Sequence, residues 1–218
     1  MSRRKRFYWP LLFAGVLLPL WWFGSLAEEV LEDGLLPFDT PLLLLLHRHA
    51  APWLDTCMYW ITNAGSAAVL VPFNLLVLLI LYRRGQRGAA WFWLLATAGA
   101  ALLNLLCKQG FARSRPALWV SSLPETTYSF PSGHAMQSMA VACALLWLAW
   151  RTRWRWQALA VGSLFVVLVG VSRLYWGVHY PSDVLAGWAA SLAWVSGVWL
   201  GLNRYAQRGP IPVKSLSP

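Results

Sequence analysis

Charge is scarce in this chain: only 12% of its 218 residues are Asp, Glu, Lys or Arg, whereas 58% are hydrophobic. That balance excludes an ordinary soluble domain and points to an integral membrane protein. Cysteine is scarce too. Cys57, Cys107 and Cys143 are odd in number and far apart, which argues against a disulfide framework or a cysteine metal site and predicts free thiols. Internal repeats, linkers and low-complexity segments are also lacking, so residues 1–218 read as one domain. The formal charge of +10 would suit nucleic acid if it formed a patch. The basic residues instead fall in short clusters between apolar runs, a pattern of membrane topology that excludes a nucleic-acid partner.

What the chain has in quantity is apolar length. Six stretches approach the roughly 20 residues that cross a hydrocarbon core: about 7–26, 66–82, 89–107, 134–150, 158–176 and 184–202. The expected fold is therefore an all-α, polytopic bundle of six transmembrane helices. A cleaved leader is the alternative for the first run, since Ser25-Leu26-Ala27 follows a basic start, but the run is long for a signal sequence. Thr40-Pro41 reads as an N-cap and first helical position. The five leucines Leu42 to Leu46 are too few to span, which predicts a short helix through about His49 lying along the interface. His47 and His49 have no further ligands nearby and read as interfacial histidines. Pro52 opens another helix, and residues 108–130 are expected to be a long loop. Trp21, Trp22, Trp91, Trp93, Trp147, Trp150 and Trp199 sit towards the ends of apolar runs, as an interfacial belt requires. The tail from Gly209 carries Pro210, Pro212 and Pro218 and is expected to lack regular structure.

Orientation follows from the basic residues. Thirteen of the 18 lie in the N-terminal segment, the 83–87 and 151–155 turns and the C-terminal tail, so that side and both termini are expected to be cytoplasmic. All eight acids fall on the other side. So do Arg48, Lys108, Arg113, Arg115 and Arg173, against the usual bias, and four of these belong to or adjoin three stretches with chemical character.

The three stretches are Lys108-x6-Arg115-Pro116, Pro131-Ser132-Gly133-His134 and Ser172-Arg173-x5-His179-x3-Asp183. With six spans they share one membrane face. Ionisable groups near a bilayer persist chiefly where they line polar cavities or perform chemistry. Lys108, Arg115 and Arg173 suit the oxygens of a phosphoryl group. Ser132 and Gly133 open a helix whose N-terminus is an anion site, with glycine permitting close approach. His179 and Asp183, four apart, allow the carboxylate to hold one imidazole nitrogen while the other attacks phosphorus. His134 is a second imidazole suited to protonate a leaving oxygen.

These three motifs, in this order and spacing, resemble the signature of the type 2 phosphatidic acid phosphatase family. That family includes membrane lipid phosphate phosphatases, bacterial non-specific acid phosphatases, glucose-6-phosphatase and vanadium haloperoxidases. The match covers about 76 residues directly, from Lys108 to Asp183, and looks most like the bacterial phosphatidylglycerophosphatase B and undecaprenyl diphosphate phosphatase members. The resemblance implies His179 as the nucleophile of a phosphohistidine, Asp183 as its orienting partner and His134 as the acid and later the base. Lys108, Arg115, Ser132, Gly133 and Arg173 would hold phosphate. It further implies a hydrolase without metal or other cofactor, acting on a lipid phosphate or diphosphate at the extracytoplasmic face of a bacterial inner membrane, with no obligate protein partner. Undecaprenyl diphosphate, phosphatidylglycerol phosphate and phosphatidic acid are the implied substrates. A lipid phosphotransferase sharing the phosphohistidine, and a non-catalytic lipid-binding or transport protein, are the alternatives. Arg113 lies outside the signature and is expected to act only electrostatically.

Overall fold

The computed structural model describes residues 3–123 and 125–208, and the tail from Gly209, for which irregular structure is expected, lies outside these. Helix α1 (Arg3–Leu12) passes through a π-helical turn (Phe13–Leu17) into α2 (Leu18–Glu32). Then come α3 (Asp39–Arg48), α4 (Pro52–Ala64), α5 (Ala67–Arg83), α6 (Arg87–Phe111), α7 (Gly133–Ala149), α8 (Arg155–Tyr175) and α9 (Pro181–Arg208). The described residues contain no strand.

Four stretches are long and apolar enough to cross a membrane: Tyr8–Glu32, Arg87–Phe111, Arg155–Tyr175 and Pro181–Arg204. α4 and α5 qualify together as a fifth, bent by 40° at Gly65-Ser66, and α7 is shorter at 17 residues. The outward faces of these helices carry exposed Leu75, Leu102, Leu106, Val161 and Leu164, acceptable where the surrounding medium is hydrocarbon. The chain is thus a multi-pass membrane protein.

α7 lies at the centre, packed on α6, α8 and α9, with α2 against α9, α4 against α8 and α5 against α6. Helices in lipid gain little from apolar burial against each other and depend on close contact between small residues. Here Ala96 and Ala100 of α6 meet Ala140 and Ala144 of α7, all fully buried, around Phe92, Trp93 and Val195. A side chain on Gly99 would run into the Trp194 ring at 2.4 Å, and one on Gly65 into Val169 at 2.6 Å. Gly65 therefore serves both as the break between α4 and α5 and as the place where α8 touches the backbone.

Several boundaries differ from the expectation. α6 continues through Lys108 to Phe111, so the long loop starts four residues late and Lys108 stands on the last helical turn. α3 begins at Asp39 with Phe38 as its N-cap, not at Thr40-Pro41, because the Asp39 carboxylate is drawn into buried tertiary bonds. Trp93 is not interfacial: it is 1% exposed and its indole N–H donates to the Asn74 carbonyl at 3.1 Å. Trp21 and Trp91 do face outwards.

Candidate active site at the ends of α6, α7, α8 and α9

The end of α6, the start of α7, the end of α8 and the start of α9 meet at one end of the bundle, closed by the 112–132 loop. Ala112 ends α6 with φ 45°, its N–H bonding the Lys108 carbonyl. That left-handed step is costly for a residue with a Cβ, and it turns the chain so that Arg113 runs inwards and Arg115 lies along the site. Gly177, at φ 63°, makes the corresponding turn between α8 and α9; a Cβ there would meet Trp119 at 2.4 Å. Trp119 in turn stacks on His47 at 4.1 Å, which ties loop, turn and α3 together. Gly187 lets α9 approach the opening of α7, where a Cβ would lie 2.9 Å from the Ser132 carbonyl. The Ser132 N–H donates to the Asp183 carbonyl at 3.0 Å.

All eight residues singled out from the motifs lie in this region. Arg115 donates through Nη1 to the Val178 carbonyl at 2.6 Å and lies 3.1 Å from His179 Nε2. Its Nε donates to the Thr127 carbonyl at 2.7 Å. Lys108 Nζ donates to the Tyr128 carbonyl at 2.6 Å and to Thr127 Oγ1 at 2.8 Å. Arg173 is buried, donating through Nη1 to Thr62 Oγ1 at 2.7 Å and through Nη2 to the Glu125 carboxylate. The other Glu125 oxygen is 3.6 Å from Arg115 Nη2. Arg173 Nε and Ser132 Oγ, both buried, have no hydrogen-bond partner among the described residues. Buried polar atoms are nearly always paired, so these two stand ready to bond a ligand. His134, half-buried, stands on the first turn of α7, directly after Ser132 and Gly133.

Around His179 the structure is richer than the motif. Nδ1 is 3.4 Å from Asp183 Oδ2, long for a direct hydrogen bond. Ser129 fills the gap, its hydroxyl donating to Asp183 Oδ2 at 2.5 Å and lying 3.3 Å from Nδ1. Asp183 Oδ2 also accepts the Tyr180 N–H at 2.8 Å. The sequence reading missed Ser129, Glu125, Asp39 and Ser182, and undervalued Arg113. Their polar character in an apolar chain was visible, but each meets its partner across tens of residues.

A PAP2 superfamily profile matches residues 89–206, the segment holding both histidines, Asp183 and the three cations. The chain belongs to the PAP2 superfamily. It is 28% identical to an undecaprenyl-diphosphatase of Sulfolobus acidocaldarius over 88% of this chain and 89% of that one. It is 31% identical to phosphatidylglycerophosphatase B of Bacillus subtilis over 65% and 71% of the two chains. Among solved structures it is similar to a transmembrane PAP2-type phosphatidylglycerolphosphate phosphatase from Bacillus subtilis, with a TM-score of 0.78, 25% identity, and coverage of 88% of this chain and 97% of that one. The chain is thus a phosphatase of the PAP2 superfamily.

Burial first, then the positive charges of Arg115, Arg173 and Lys108, push His179 well below the ordinary histidine value of 6.5, leaving its imidazole neutral with the Nε2 lone pair turned to Arg115 Nη1. The sign for stability follows. Above that ordinary value folded and unfolded chains both hold His179 neutral. Below it the unfolded chain takes up a proton that the folded site refuses, so this residue's contribution falls as pH falls, by up to about 1.4 kcal/mol per pH unit. Thermal melts of purified protein between pH 7 and 5 are expected to show a shallower acid loss in His179→Gln than in the unsubstituted chain; parallel curves would refute the assignment.

Proposed function

We propose that this PAP2 protein hydrolyses a lipid phosphate or diphosphate through a phosphohistidine at His179, at the extracytoplasmic face of a bacterial cytoplasmic membrane. The observation that carries the proposal is the convergence of Lys108, Arg115, Arg173 and the orphaned Ser132 hydroxyl beside a neutral, buried imidazole whose Nε2 faces Arg115. In the first step the incoming phosphate dianion offsets the cations around His134 and lets it carry a proton; His179 Nε2 attacks phosphorus, the N–P bond forms, and the bond to the leaving oxygen breaks as His134 donates that proton. In the second, water attacks phosphorus, gives its proton to His134, and the N–P bond breaks to release phosphate. Lys108, Arg115, Arg173, Ser132 and the Gly133 backbone hold the equatorial oxygens and stabilise the charge that develops there. Asp183 and Ser129 orient the ring and favour the imidazolium formed on phosphorylation.

The whole chain is proposed to act as one domain with six spans, α4–α5 and α7 included, and cytoplasmic termini, without an obligate protein partner. A lipid substrate is supported by an apolar groove of about 440 Å³ between α2, α6 and α9, lined by Leu20, Phe23, Leu103, Cys107 and Trp194 among others. The groove reaches Cys107, one residue before Lys108 on α6, which on this reading lets a headgroup in the site leave its tail in the bilayer. The relatives favour undecaprenyl diphosphate and phosphatidylglycerol phosphate as first substrates.

The test is phosphate release by purified protein from undecaprenyl diphosphate, phosphatidylglycerol phosphate and phosphatidic acid. Each is assayed with and without EDTA, with acid-quench trapping of protein-bound phosphate. Release from at least one lipid, unaffected by EDTA, with a trapped acid-labile phosphoenzyme, is the expected result. Phosphoenzyme without release to water would instead indicate transfer to a lipid acceptor, and neither product would leave a binding protein.

A further inference from the structure

The guanidinium of Arg113 spends every N–H inside the protein. Nε and Nη2 donate to the Gly34 carbonyl at 3.0 and 2.6 Å, Nη2 to Asp39 Oδ2 at 2.9 Å, and Nη1 to Ser182 Oγ at 2.8 Å and Asp183 Oδ1 at 2.5 Å. The cation also lies 4.3 Å over the Tyr180 ring. Arg113 is 7% exposed, and Asp39, Ser182 and Asp183 are fully buried. Asp39 in turn accepts the Ser182 N–H at 2.9 Å through Oδ1, and the Ser182 hydroxyl at 2.7 Å through Oδ2. Arginine offers five donors in a rigid fork, and none here remains for phosphate.

We infer that Arg113 and Asp39 form a positioning clamp for the catalytic pair, acting on His179 through Asp183, and that Asp39 sets the charge on which the pair depends. The inference rests on the proposed phosphohistidine chemistry. Arg113 alone would cancel the negative charge of Asp183. With Asp39 sharing the same guanidinium, two carboxylates face one cation and the cluster keeps a net charge of −1. That surplus is what an imidazolium requires when His179 forms its bond to phosphorus. Asp39 and Gly34 precede the segment that the PAP2 profile covers, residues 89–206, so α3 and the turn before it supply a part of the site from outside that segment. Asp39 also explains the start of α3: its carboxylate accepts the Leu36 N–H at 3.2 Å as well as the Ser182 bonds, holding the surface helix against α9.

Asp39→Asn keeps the shape and removes the charge; Arg113→Lys keeps a charge and loses the fork. Both are measured in the full-length protein alongside Asp183→Asn and the Asp39→Asn/Asp183→Asn double variant, using the best lipid from the panel as substrate and orthovanadate as a competing anion. The clamp predicts that kcat falls by about 10²-fold in each single variant, as small misplacements of reacting groups do, while KM and the vanadate inhibition constant change by less than about threefold. The acid limb of the pH–rate profile should move in Asp39→Asn, and Asp39→Glu should recover part of kcat. In the double variant the loss should equal that of Asp183→Asn alone, since contacts acting through one residue are not additive. Unchanged kcat, a weaker vanadate constant or additive losses would overturn the clamp. If Asp39→Asn fails to fold, Arg113→Lys carries the test through the same split, a lower kcat with the vanadate constant unchanged. An inactive unsubstituted protein would sink the phosphatase reading itself, separately from the clamp.

Discussion

His179→Ala is expected to abolish phosphate release, lowering kcat by about 10³-fold or more, because a nucleophile that acts with its partners cannot be replaced by any one of them. The same variant should accumulate no acid-labile phosphoenzyme while retaining vanadate binding, since the cations keep other anchors when the imidazole is lost: Arg115 on the Thr127 and Val178 carbonyls, Lys108 on Thr127 and Tyr128, and Arg173 on Thr62 and Glu125. Single-turnover assays and 32P trapping on the purified variant read both quantities. Turnover within tenfold of the unsubstituted protein would remove His179 from the chemistry and favour a direct attack by water.

Arg173→Ala carries the second-largest expected effect. Its guanidinium is 2% exposed on the last turn of α8, bridges Thr62 of α4 to Glu125 of the loop, and keeps Nε free of partners among the described residues. Removing one preorganised donor from charge developing in a transition state costs about 10²–10³-fold in rate. Here kcat/KM should fall by at least that much, because Glu125 is also left without its main cation. Arg173→Lys should recover little, since an ammonium cannot reach Thr62, Glu125 and the substrate together. Steady-state kinetics of both variants decide the matter; full recovery by lysine would mean that a point charge suffices and that the fork has no part.

The sequence carried the proposed catalytic and cationic members of the site because their spacing is short and their chemistry is rare in an apolar chain. Lys108, Arg115, His134, Arg173, His179 and Asp183 could be gathered at one membrane face by counting helix ends, and they do lie together. The helices were legible for the same reason, through apolar length, although α6 outlasts its apolar run by one turn and carries Lys108 with it. What was not legible is the support. Ser129 reaches Asp183 across 54 residues, and Asp39 reaches Ser182 across 143. Nothing local to a polar loop records such a distant partner. Trp93 was misplaced for a related reason: the position of a tryptophan near a helix end says nothing of whether a neighbouring helix covers it, and α5 does so through Asn74.

Glu125 has a consequence for which lipids gain entry. Its carboxylate rests on Arg173, with its second oxygen near Arg115, so on the proposed reading an incoming anion competes with a resident one for these cations. The phosphodiester of an ordinary membrane phospholipid bears a single charge and only matches what it displaces. A terminal phosphate brings roughly 1.5–2 negative charges and three acceptor oxygens, enough for all three cations and the waiting Ser132 hydroxyl. On the proposed reading, the site screens by exchange, and a protein immersed in phosphodiesters is kept from being clogged by its own solvent.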